Sequence, residues 1–88
     1  MKFWAIEWKD NRMLHDLVVT DDTQDTRTDK VFRALDKVCA EFDLPHPQWL
    51  DATIRDFKRH SRCHFTQDCF VGEEISFDAL ELRVLEED

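Results

Sequence analysis

The sequence predicts an α+β fold of two layers in the order β-β-α-α-β, a three-stranded sheet packed against two helices. Three observations lead there. Apolar and polar residues alternate with the period of a strand near both ends, over residues 2–9 and 76–86. The middle carries a helical repeat instead, with Val31, Leu35, Val38, Cys39 and Phe42 on one face. Three strands cannot bury their apolar face alone, so two helices are needed to cover it.

The elements follow in order. In residues 2–9, Trp4, Ile6 and Trp8 fall on one side, and Phe3, Ala5, Glu7 and Lys9 on the other. Asp10-Asn11 suits a tight turn, because both residue types tolerate positive φ. Residues 13–20 form the return strand, centred on Leu17, Val18 and Val19. The polar loop 21–28 ends in Thr26 and Thr28, either of which can cap a helix over 28–42, and Asp29 suits the positive end of its dipole. Leu44-Pro45 stops that helix, since the residue before a proline avoids the α region. Pro47 then suits the first position of a second helix, whose apolar stripe is Trp49, Leu50, Ile54 and Phe57. Residues 61–74 fit either a helical face or an alternating strand, and the reading adopted is a short helical extension with a turn at Gly72. Leu80, Leu82 and Val84 alternate with Glu81 and Arg83 in the last strand, and an acidic tail follows. Phe3 and Phe77 are expected on the far face of the sheet, where exposure would make that face an interaction surface.

Eighty-eight residues make a single domain, 1–88, with a small core. A chain of this length buries about 60–65% of its unfolded surface. Three Trp and seven Phe supply much of that core and set the chain apart from acidic disordered proteins, which are poor in aromatics. No apolar run approaches the roughly 20 residues that span a bilayer, and Glu7 interrupts any signal-peptide core. The expected location is therefore cytoplasmic, with no membrane partner. Cys39, Cys63 and Cys69 are an odd number, which favours reduced thiols over a disulfide framework.

Charge is the strongest pointer to partners. Residues 55–64 read R-D-F-K-R-H-S-R-C-H and net +3, while the whole chain is −8, so the remainder carries −11. Such a polarised field selects and steers partners. Arg55, Lys58, Arg59 and Arg62 are spaced i, i+3, i+4, i+7 and line one face of a helix. That stripe is the candidate binding surface. It could touch nucleic acid, but the acidic balance makes direct nucleic-acid binding the lesser reading against contact with carboxylates of the chain itself or of a second copy. Between Asp68 and Asp88, eight carboxylates stand against Arg83 alone, a pattern that could imitate the phosphates of DNA and inhibit a nucleic-acid-binding protein.

His60, Cys63, His64 and Cys69 are the best candidate metal ligands. Imidazole and thiolate suit zinc, and the three residues from His60 to His64 would converge if the second helix ran on that far. Their spacing matches no common zinc motif, and Arg59 and Arg62 would repel a dication. Solvated histidines and buried thiols are the plainer reading, so no metal and no cofactor are expected. Asp21, Asp22, Thr23 and Asp25 offer oxygens for calcium but lack the glycine and closing glutamate of an EF-hand loop. No nucleophile elbow, phosphate loop or H-E-x-x-H pattern is present. A Cys63–His pair would need a cleft that so short a chain can hardly build, so no enzymatic activity is expected.

The run Leu44-Pro45, Pro47, Trp49-Leu50, Phe57-Lys58-Arg59, Phe65, Gln67-Asp68, Phe70, Phe77-Asp78 and Leu80-Glu81 resembles small uncharacterised proteins of anaerobic bacteria, some of them carried on conjugative mobile elements. The likeness covers residues 44–86 and transfers no functional residue. It implies at most an accessory or inhibitory role. Together these readings favour a non-enzymatic protein–protein interaction module, with an unknown protein or a second copy as partner. An isologous dimer would set basic helix against acidic strand and weaken with salt.

Overall fold

The computed structural model describes residues 1–88. Strand β1 (Lys2–Lys9) and strand β2 (Arg12–Thr20) form the expected hairpin. Asp10 and Asn11 turn it with φ of 52° and 63°, the two positive values a type I′ turn requires. Trp4 faces Val18 and Glu7 faces His15, but Trp8 faces Met13, so a bulge leaves Leu14 as the extra residue.

Helix α1 (Arg27–Phe42) begins at Thr26, whose hydroxyl accepts the Asp29 N–H at 3.2 Å. It ends at Asp43 in the left-handed region, where the Leu44 N–H closes onto the Cys39 carbonyl at 2.9 Å. Helix α2 starts later than the proline suggests, at Asp51, and runs to His60. Pro47 lies outside it because the next residue is committed elsewhere: the Gln48 N–H donates to the Cys69 carbonyl at 2.7 Å. Trp49 and Leu50 therefore precede the helix.

The sheet has four strands, not three, in the order β2-β1-β4-β3, all antiparallel. The additional strand is β3 (Arg62–Phe65), in the segment expected to extend the helix. Ser61 prevents that extension. Its φ of 56° takes the chain out of the helix, and its carbonyl accepts the Val84 N–H at 2.8 Å, which lays the next residues along strand β4 (Ala79–Glu86). Once extended, Cys63 and Phe65 point inward and Arg62 and His64 outward, as period two demands. A single 3-10 turn, Gln67–Cys69, follows.

Both helices cover one sheet face. Val31, Ala34, Leu35, Val38 and Cys39 of α1 and Phe57 of α2 pack on Phe3, Ala5, Val19, Cys63, Phe65, Leu80 and Leu82 of the sheet. Trp49 is the hinge of this layer, edge-on to Phe57 at 5.5 Å and to Phe65 at 4.9 Å. Each such pair contributes about 0.5–1.5 kcal/mol beyond its burial. Phe3 and Phe77 are both buried in this core, which corrects their expected placement on the open face. That face carries the other register of β1, Trp4, Ile6 and Trp8. No helix is long and apolar enough to cross a membrane.

Candidate functional site

The basic stripe is shorter than its spacing suggests. Arg55, Lys58 and Arg59 stay together on the exposed side of α2, beside Asp51 and Ile54. Arg62 does not join them, because Ser61 has already turned the chain. It sits in β3 on the open sheet face, opposite Arg83 in register. Of the four cations only Arg55 has a carboxylate partner, its neighbour Asp56 at 3.7 Å. Lys58, Arg59 and Arg62 have no carboxylate partner within the fold.

Next to Lys58 a groove opens between the helices. Val31, Phe57 and Trp49 form its base, Phe32 and Ile54 its lips, and Arg27 and Lys58 its charged rim. Its volume is about 230 Å³. Small-molecule pockets usually hold about 300–1,000 Å³, so this groove suits a protruding side chain better than a metabolite. Phe32 is 49% exposed and Ile54 36%. Phe32 was not singled out by periodicity, since it follows Val31 and falls off the α1 stripe. An aromatic on the polar side of an amphipathic helix was the available signal. Arg27 is held over the Phe57 ring at 5.2 Å and paired with Glu87 at 3.1 Å.

The open sheet face, by contrast, satisfies itself. Trp4 Nε1–H donates to Asp16 at 2.9 Å and Trp8 Nε1–H to Glu81 at 3.0 Å. Arg83 lies 5.5 Å from the centre of the Trp4 ring and binds Glu81 at 2.6 Å, and His64 reaches the same carboxylate at 3.3 Å. Burial alone would raise the Glu81 carboxyl, but the hydrogen bonds from Arg83 and Trp8 and the Arg83 charge hold it below its ordinary 4.5.

The four metal candidates are separated. Cys63 and Cys69 are buried in the core, whereas His60 and His64 are exposed. Cys63 and His64 are consecutive strand residues and point to opposite faces of the sheet, so they cannot share an ion. No group of three His, Cys, Asp or Glu side chains is placed to hold a metal. All three cysteines are free and buried, and burial pushes the Cys63 thiol to about 12 and the Cys39 thiol to about 11, far from a reactive thiolate. In the Asp21–Asp25 loop the cation is internal: Arg33 binds Asp21 and Asp25, each at 2.7 Å. Hydrogen bonds from Thr23 and Arg33 lower Asp21 to about 2.

The carboxylates between Asp68 and Asp88 do not form one solvated row. Glu81 is bound by Arg83, Glu86 by Lys2, Glu87 by Arg27, and Asp88 by Lys30 and the Met1 amine. Asp78 accepts the Asp10 N–H at 2.8 Å. That leaves Asp68, Glu73 and Glu74, clustered around the turn at Gly72, as the carboxylates of this stretch with no such partner.

No protein-family model, curated protein or solved structure matches the chain.

Proposed function

We propose that this protein is a non-enzymatic contact module that binds a protein segment through the α1–α2 groove and the adjoining cations of α2. The observation that carries this reading is the pairing of exposed Phe32 and Ile54 with unpartnered Lys58 in the groove, and with Arg59 next to Ile54 and Lys58 on the adjoining side of α2, in a chain with a large surplus of carboxylates. Apolar lips favour a side-chain anchor, and the cations select for anionic flanks. The occupant is therefore an apolar residue flanked by Asp or Glu. The three cations Arg55, Lys58 and Arg59 make a weak nucleic-acid surface, since Arg62 is removed from them and the rest of the chain is acidic. Nucleic-acid mimicry is weakened in turn by the engagement of the β4 carboxylates within the chain. An accessory role of the kind the sequence resemblance implies fits a module of this sort.

Amide NMR shifts on adding short peptides test the proposal. Peptides carrying Val or Leu between glutamates are expected to move the resonances of Phe32, Ile54 and Lys58. The same peptides with lysine for glutamate are expected to leave them in place, and Lys58→Glu with Arg59→Glu should reverse the preference. Shifts that ignore peptide charge, or that fall on the open sheet face instead, would count against this site.

A further inference from the structure

We infer that the groove's occupant is a second copy of this chain, the Phe70–Glu74 turn of each copy seating in the α1–α2 groove of the other. The inference rests on the proposed contact function and names its partner.

The turn has the chemistry the groove asks for. Val71 is 65% exposed, the most exposed of the large apolar residues of the chain. Asp68, Glu73 and Glu74 surround it in sequence, and these are the carboxylates of the acidic half that no cation of the fold engages. The groove offers the complement, Phe32 and Ile54 as an apolar seat and Lys58 as an unpartnered cation on its rim, with unpartnered Arg59 beside Lys58 on the outer side of α2. Each surface holds what the other lacks, and the volume of about 230 Å³ accommodates a branched side chain with its flanking backbone.

The turn is also held in shape before any contact. Gly72 has φ of 78°, which a side chain would resist. The Gln67 amide bridges the two sides of the turn, donating to the Glu73 carbonyl at 2.6 Å and accepting the Ile75 N–H at 3.0 Å. A projection fixed in this way loses little freedom on docking. Each chain carries one turn and one groove, so two copies that exchange both contacts about a two-fold axis would form a closed dimer, the arrangement inferred here.

Sedimentation velocity on charge-reversed pairs tests the inference. All the altered residues are exposed, so circular dichroism should confirm unchanged folding. The wild-type protein is expected to form a dimer that dissociates on dilution and at high salt. Lys58→Glu with Arg59→Glu, and separately Glu73→Lys with Glu74→Lys, should each weaken association by about tenfold or more. An equimolar mixture of the two variants should regain it, since every contact then pairs opposite charges. A wild-type protein that stays monomeric at millimolar concentration overturns the inference. So does a dimer insensitive to both reversals, for instance one lost on Val18→Lys, which would place the contact on the β2 edge. If the protein is monomeric but acidic peptides still shift the groove resonances, the contact function stands with another partner. If the peptides are silent as well, both readings fall.

Discussion

Glu81 sits on the solvent side of the sheet, yet only 4% of its side chain is exposed. Trp8, Arg83 and His64 enclose it, so one carboxylate organises the open face by accepting from an indole and a guanidinium, with an imidazole 3.3 Å away. Replacing it with an amide leaves the shape but removes the charge. Glu81→Gln is expected to cost about 1.5–3 kcal/mol near neutral pH, the range for hydrogen bonds to charged groups. The pH dependence has a definite sign. The folded-state carboxyl lies below its ordinary 4.5, so its contribution is complete above that value and disappears as pH falls through the folded value. Urea denaturation of both proteins across this range should show the gap narrowing in acid. A gap that stays constant or widens would mean that Glu81 acts through packing alone. The sequence pattern placed Glu81 on the outer side of a strand but could not show its enclosure, because Trp8 and His64 come from two other strands distant in the chain.

Single backbone conformations decide the elements, and Ser61 is the clearest case. A serine with φ of 56° bears the cost of the left-handed region, about 1–2 kcal/mol for an ordinary L-residue. Glycine carries no such cost, and Ser61 has no side-chain hydrogen bond among those of the fold. Ser61→Gly is therefore expected to stabilise the protein by about 0.5–1 kcal/mol, read as a higher urea midpoint at unchanged slope. A lower midpoint would mean that flexibility gained in the unfolded chain outweighs the relieved strain. This residue also explains the main departure from the sequence reading. Helix periodicity and strand alternation were both legible in residues 61–74, where Phe65 and Cys69 fit either and Cys63 fits the alternation. The choice between them lies in a cap whose residue type is not a glycine, so no local signal marked it. By contrast Asp10-Asn11 and Thr26 were legible, because their side chains suit the geometry they adopt. The candidate site divides in the same way. The cations of α2 were visible as a charge run, but the groove beside them needs α1 and α2 packed together, and Phe32 acquires meaning only there.

At the scale of the molecule, polarised charge resolves into internal and external parts. The fold uses most of its acidic C-terminal stretch on itself, tying β4 and the tail to Lys2, Arg27, Lys30 and the amino terminus. Among the charges it leaves without an ion pair, two groups stand beside exposed apolar side chains, the α2 cations next to Ile54 and the carboxylates around Val71. The β2 edge is the competing surface, with Met13, Leu14 and Val18 all exposed along an edge strand. Amide spectra of the wild-type protein over a dilution series separate these surfaces in one experiment. The expected result is concentration-dependent shifts confined to two clusters, Phe32 with Ile54 to Arg59, and Phe70 to Glu74, both weakened by salt. Shifts running along Arg12 to Thr20, or spectra unchanged by dilution, would contradict the reciprocal contact.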